Sequence, residues 1–241
     1  MPEDIQFPIR INRYLALKGL ATRRGADELV SAGLVRLNGE KAKLGDQVKE
    51  TDTVEVEKGK KSSEKKLVYI AYYKPRGIIT HSPQEGEQAI GDIAGFPGTF
   101  PIGRLDKASE GLIILTNDGR ITERLLHPRF AHEKEYTVTV REEVLPAVRK
   151  ILEEGVKSDN EWLKAKKVTL SGAHTLIIVL TQGKKHQIRR MLDGVRLTVE
   201  KLVRTRIMGV YVGALKPGKA RFLEDKAKKA FLDSLDLPEN P

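Results

Sequence analysis

The sequence predicts an α+β protein in two parts: a small helix-helix-hairpin unit, then a larger domain on a mixed, mainly antiparallel sheet. Three observations carry this. The stretch KGKKSSEKK, Lys58 to Lys66, is polar with no apolar residue, which is the composition of a flexible linker. Before it, apolar residues fall at helical spacing and are followed by an Asn-Gly pair. After it, strand-like runs succeed each other with few helices between them, which disfavours a doubly wound sheet. The expected boundaries are 1–57, a linker at 58–66, and 67–241.

In the first part, Ile9 to Leu17 has a helical apolar spacing that stops at Gly19, a residue suited to a left-handed cap. A second helix follows, with Thr22 to cap its start, Ala26, Leu29 and Val30 on its buried face, and Gly33 to end it. VRLNGEKA then alternates around Asn38-Gly39, the pair that best tolerates the positive φ angles of a two-residue hairpin turn. Val54 and Val56 supply a further short strand.

In the second part, the strand-like runs are LVYIAYY, GLIILTN, KEYTVTV, KAKKVTL and HTLIIVLTQ. Helical stretches are expected at Arg120 to His127, Glu142 to Glu153, Lys184 to Leu192 and Lys226 to Leu235. EGVKSDNEWL reads as a solvated loop, and Trp162 as a packing residue. There is no long-period repeat.

Composition narrows the function classes. At 241 residues and 39% apolar content the chain can bury a core, and with no cysteine it has no disulfides or thiolate metal sites. No run of eighteen apolar residues occurs, and MPEDIQFPIR lacks a signal-peptide apolar region, so a soluble cytoplasmic protein is expected. The net charge of +10 is clustered: Thr181 to Arg221 carries eleven Lys and Arg against two acids. Ile5 to Ala26 holds Arg10, Arg13, Lys18, Arg23 and Arg24 with no acid, while Glu40 to Glu57 is acidic. Two basic clusters in one chain point to a nucleic-acid partner.

The segment with most chemical content is FPIGRLDKASEGLIILTNDG, Phe100 to Gly119. It sets one carboxylate, Asp106, between basic residues and a glycine-led apolar strand. By spacing alone Asp106 is either a turn aspartate bonding its neighbours or a single carboxylate at the floor of a cleft. The five histidines, including His186, show no paired metal-ligand spacing and read as surface, core or RNA contacts.

These segments resemble known families. The helices carrying Arg10, Arg13, Arg23 and Arg24, with RRGADELVSAGLVRLNG, resemble the alpha-L (S4-type) RNA-binding domain, from about Ile9 to Val56. GRLDKASEGLIILTNDG resembles the catalytic motif of the RNA pseudouridine synthases, in the RsuA branch that modifies ribosomal RNA. HEKEYTVTV, TQGKKHQIRRM, VEKLVRTRIMGV and KPRGIITH resemble further segments of that family in its order. HEKEY and RTRIM are most similar to the F-type large-subunit synthases.

The resemblance implies that uridine is detached at nitrogen, turned while held, and rejoined through carbon five. Nothing is oxidised and no group is lost, so no cofactor and no metal are implied. Asp106 acts as nucleophile or as base, and both remain open. Tyr136 stacks on the uracil, where the residues alone allow a core tyrosine. Arg189 pairs with Asp106 and keeps it ionised. Arg104 fills the gap left by the extruded base, and Leu105 packs beside that base. Arg190 contacts phosphate, where the residues alone also allow an exposed helix residue. Lys184 and Lys185 join the four amino-terminal arginines as RNA contacts. The implied partner is ribosomal RNA of the large subunit, with transfer RNA open as a second substrate, no membrane, and a monomer by default. Two other readings stand beside this one: a non-catalytic RNA-binding ribosome-assembly factor, which needs no GRLD, KEY or HQIRR, and a glycosylase that stops after bond cleavage.

Overall fold

The computed structural model describes residues 7–18, 20–21, 23–57 and 66–239, with Arg24 by its backbone alone. The predicted helix signals Gly19 and Thr22 and residues 58–65 of the predicted linker lie outside the described residues. The chain divides into two compact units: one holds the elements up to Val68 and also takes in Asn117–Glu123, and the other comprises Tyr69–Thr116 and Arg124–Glu239.

The first unit runs β1 (Ile9–Arg10), α1 (Ile11–Leu17), α2 (Arg23–Ser31), β2 (Val35–Leu37), β3 (Glu40–Lys41), β4 (Gln47–Val48) and β5 (Val54–Val56). Its core is Ile11 and Leu15 of α1 packed with Ala26 and Val30 of α2 and with Val35 and Val48. The helical spacing that predicted both helices is what gathers these side chains on one face. Gly33 ends α2 at φ 70, and the turn between β2 and β3 places Asn38 at φ 53 and Gly39 at φ 84, as an Asn-Gly hairpin requires. The Asn38 side chain also joins β5 to the hairpin, accepting from the Thr53 N–H at 2.9 Å and donating to Asp52 at 3.0 Å.

The second unit is built on a nine-stranded sheet. Its elements are β6 (Tyr69–Lys74), α3 (Ile90–Ile93), β7 (Phe100–Ile102), β8 (Glu110–Thr116), α4 (Arg120–Leu126, whose first turn belongs to the other unit), β9 (Lys134–Val140), α5 (Ala147–Glu154), β10 (Val156–Ser158), β11 (Glu161–Leu163), β12 (Lys167–Gly172), β13 (Thr175–Leu180), α6 (Gln187–Asp193), β14 (Val199–Ile207), β15 (Val210–Tyr211), β16 (Ala220–Phe222) and α7 (Asp225–Asp233). The strand order is β12-β13-β9-β14-β8-β6-β16, with β15 on β14 and β7 on β8. All pairs are antiparallel except β14 with β8, which is parallel, so the mixed and mainly antiparallel sheet predicted from sequence is the one observed. The apolar faces of β9, β12 and β13 meet Val148 and Leu152 of α5 and Ile188, Met191 and Leu192 of α6 in one core.

Two predicted helices begin late, each for a local reason. Near Glu142 the chain is held away from helix by the Val144 N–H donating to Ala173 at 2.7 Å, and the Glu142 carboxylate accepts from Thr198, so α5 starts after Pro146. His186 sits at φ 51, which no helix interior allows, so α6 starts at Gln187 rather than Lys184. The stretch read as a solvated loop is instead the β10-β11 hairpin, turning through Asp159 and Asn160 at positive φ. Trp162 is 61% exposed and not a core residue; its indole N–H donates to the Glu154 carbonyl at 3.3 Å, above Gly155.

Candidate active site

Asp106 lies on the loop from Gly103 to Ser109, between β7 and β8, and almost every peptide of that loop is tied down. The Arg104 carbonyl accepts from Arg204 Nη1 at 3.3 Å. The Leu105 N–H donates to Thr80 Oγ1 at 3.0 Å, and Thr80 Oγ1 donates back to the Leu105 carbonyl at 2.9 Å. The Asp106 carbonyl accepts from the Ser109 N–H at 3.0 Å, the Lys107 carbonyl from the Gly77 N–H at 2.8 Å, and the Ala108 carbonyl from Arg189 Nη2 at 3.2 Å. A loop held at each peptide presents its side chains in fixed positions, as a site of fixed geometry requires.

Beneath the loop, three strands bring three positions into a row. Gly111 pairs with Arg204 across the parallel β8-β14 ladder, and Arg204 pairs with Tyr136 across β14 and β9. The approach at Gly111 leaves no room for a side chain: at φ +110, a Cβ would lie 2.4 Å from the Arg204 carbonyl oxygen. Tyr136 is buried in the same core cluster as Leu105 and Ile188. The structure therefore brings together the predicted Leu105 and Tyr136, with Asp106 one residue along.

The Asp106 side chain is 44% exposed. Its ionisable neighbour is His186, whose Nε2 lies 3.7 Å from Asp106 Oδ1. The predicted ion pair between Arg189 and Asp106 is not formed: the Arg189 guanidinium is drawn to the Ala108 carbonyl, two residues further along the same loop. Arg189 still touches the loop, through its backbone rather than its carboxylate. His186 and Arg189 also line a cleft of about 390 Å³ along α6, with Arg190, Asp193, Leu197, Thr198 and Val199.

Two buried basic side chains, Lys74 and Arg204, lie next to the loop. Lys74, at the end of β6, is fully buried and donates to the carbonyls of Pro75, at 2.9 Å, and Ile78. Burial pushes its amine down to about 8, and the Arg204 charge pushes the same way, while the carboxylates of Asp106 and Glu110 oppose them. Lys134, at the start of β9, is likewise brought down to about 8 by burial and by Arg204. Arg204 itself is 3% exposed; its Nε donates to the Leu112 carbonyl at 2.6 Å, and its Nη2 is buried with no hydrogen-bond partner.

The remaining predicted residues separate. Arg190 is engaged by the β10-β11 hairpin, donating to the Ser158 carbonyl at 2.7 Å and to Glu161 at 2.8 Å and facing Asp159 at 3.2 Å. It clamps that hairpin to α6. Lys184 pairs with Glu161 at 3.4 Å, while Lys185 and Arg104 have exposed side chains. In the first unit, Arg10, Arg13 and Arg23 are exposed.

Sequence reasoning missed His186, Thr80 and Lys74 as neighbours of Asp106. A signal existed for Lys74, a lysine closing a strand that otherwise reads as wholly buried. Thr80 lies in the KPRGIITH segment, but nothing in that segment marked Leu105, 25 residues away, as its partner.

Comparisons with known proteins agree with this geometry. Residues 68–193 match the RNA pseudouridylate synthase family, and residues 9–54 match the S4 domain. The dual-specificity RNA pseudouridine synthase RluF of Escherichia coli strain K12 is 37% identical over 235 residues, covering 96% of this chain and 80% of that protein. An uncharacterized RNA pseudouridine synthase of Aquifex aeolicus is also 37% identical, over 226 residues, covering 89% of this chain and 90% of that one. A crystal structure of a pseudouridylate synthase superposes with a TM-score of 0.67 at 24% identity, covering 94% of this chain and 99% of that chain, which establishes the shared fold. With a synthase domain matched over the Asp106 loop and an S4 domain before it, this chain belongs to the RNA pseudouridine synthase family, the isomerases that convert uridine in RNA to pseudouridine.

Proposed function

We propose that this protein isomerises one uridine of large-subunit ribosomal RNA, with residues 1–57 anchoring on structured RNA and residues 67–241 performing the chemistry. The observation that carries this reading is the Asp106 loop: one exposed carboxylate on a backbone held at nearly every peptide, one residue from Leu105 and the buried Tyr136 cluster. In the reaction the N1–C1′ bond breaks, the uracil turns, a C5–C1′ bond forms, the C5 proton leaves and N1 gains a proton. Asp106 serves as the nucleophile at the sugar or as the base for a sugar proton. Tyr136 supports the uracil, and Leu105 packs beside it. Arg189 acts on Asp106 indirectly, by holding the Ala108 peptide. Arg104 reaches into the gap left when the nucleotide is extruded, a step needed because the glycosidic bond of a stacked base is inaccessible.

RNA anchoring draws on the exposed Arg10, Arg13 and Arg23, on Arg24, and on Lys184 and Lys185. Transfer RNA is the second substrate to compare, and the Escherichia coli relative is itself named as dual-specificity. The proposed working form is a cytoplasmic monomer; among the described residues no helix is long and apolar enough to cross a membrane.

The test is Asp106→Asn. The variant is expected to lose isomerisation while RNA affinity stays within a few fold, measured by pseudouridine mapping of ribosomal RNA and by a binding isotherm. Retained turnover would sink the role of Asp106.

A further inference from the structure

Building on that reading of Asp106, we propose that Thr80 is a positioning residue, whose hydroxyl fixes the Leu105 peptide and thereby sets where the Asp106 carboxylate stands. Thr80 is 6% exposed and lies on the segment after β6. Its single hydroxyl proton goes to the Leu105 carbonyl at 2.9 Å, and its oxygen accepts from the Leu105 N–H at 3.0 Å. One side chain thus supplies both bonds that a strand partner would supply to Leu105 in an antiparallel pair.

Thr80 can do this because its own segment is anchored. The Ile79 N–H donates to Gln88 at 3.0 Å, and the Ile79 carbonyl accepts from the Ile90 N–H at 3.0 Å. The buried Lys74 amine ties the carbonyls of Pro75 and Ile78 together, which shapes the turn leading to Thr80. From the same segment, the Gly77 N–H holds the Lys107 carbonyl at 2.8 Å. Residues 77 and 80 therefore grip the chain on both sides of Asp106 without touching its carboxylate. The Leu105 side chain adds a third constraint by packing with Tyr136 and Ile188.

Removing the hydroxyl leaves a buried N–H and a buried carbonyl without partners, and buried polar groups regain partners only by moving towards water. That movement shifts the residue before Asp106. A displacement of about 1 Å in a reacting group costs on the order of 100-fold in rate.

The experiment compares Thr80→Val, which keeps the shape and removes the hydroxyl, with Thr80→Ser, which keeps the hydroxyl. Full-length proteins are assayed on total RNA from cells lacking this enzyme, and amide exchange is followed over the peptide spanning residues 103–109. Thr80→Val is expected to lower kcat by about 10- to 100-fold with KM unchanged within about 2-fold, and to speed exchange at Leu105. Thr80→Ser is expected to restore both. The proposal is overturned by a Thr80→Val enzyme with wild-type kcat, by a loss lying wholly in KM, or by a Thr80→Ser enzyme as slow as Thr80→Val. Failure of the underlying reading looks different: Asp106→Asn, run alongside, would then isomerise normally, and Thr80→Val would speed Leu105 exchange without slowing turnover.

Discussion

Lys74 shows how a single buried charge makes the stability of this protein depend on pH. Its amine falls from the ordinary lysine value of 10.5 to about 8 in the folded protein, chiefly through burial. Between those two values the unfolded chain holds the proton that the folded chain has released, so stability rises with pH across that window. Below about 8 both states carry the charge, and the burial penalty stands in full. Lys74→Met lacks this dependence. Urea titrations from about pH 7 to about pH 10 are expected to show the wild type gaining stability relative to Lys74→Met as pH rises. A constant difference would mean that Lys74 titrates normally. Leu105 and Asp106 could be singled out because GRLD marks them, and Tyr136 because KEY does, but that Leu105 and Tyr136 share one core cluster could not. The roles of Arg189 and Arg190 were not legible either, because adjacent helix residues point about 100° apart. Arg189 turns to the Asp106 loop and Arg190 to the β10-β11 hairpin, a division that no reading of HQIRR alone supplies.

Among the elements, the parallel contact between β8 and β14 is one that a single methyl group can break, because there the methyl meets backbone and not a side chain. Gly111→Ala puts a Cβ against the carbonyl and amide of Arg204, both backbone atoms in the middle of the sheet, at a φ that alanine disfavours. A loss of about 2 to 4 kcal/mol in unfolding free energy is expected for Gly111→Ala. Gly91→Ala, on α3 with nothing within 4 Å, is the control and is expected to stay within about 0.5 kcal/mol. Equal effects at the two sites would refute the close approach. The main strands could be read from sequence because continuous apolar runs announce strands buried on both faces. The β10-β11 hairpin could not, because its strands are three residues each with only Val156 and Leu163 buried, and its polar turn is held by a guanidinium on a helix 29 or more residues away. Helix starts were misplaced where a left-handed residue, His186, or a proline, Pro146, overrode the apolar spacing.

For the whole molecule, the net charge of +10 sets the terms of RNA binding. Each phosphate contact releases counterions, so affinity falls with salt in proportion to the number of contacts. If Arg23 and Arg24 each contact a phosphate, replacing both by Ala lowers the slope of log affinity against log salt by about 1.4 to 1.8. Rates at saturating RNA are expected to change less than the affinity does. An unchanged binding isotherm would refute the anchoring role of the first unit. The two-part organisation was visible from charge and composition, whereas the inclusion of Asn117–Glu123 in the first unit was not, since it depends on how a distant segment folds back.

The place of β14 in the sheet also governs when activity can arise during synthesis. β14 comes late in the sequence, at residues 199–207, yet it fills the gap between β9 and β8 and supplies Arg204, which holds the Arg104 carbonyl of the Asp106 loop. A nascent chain that has not passed Ile207 has the Asp106 loop but not the strand that holds its Arg104 carbonyl, and it leaves the facing edges of β9 and β8 unpaired. The S4-matching residues 9–54 are thus complete long before the sheet of the second unit is.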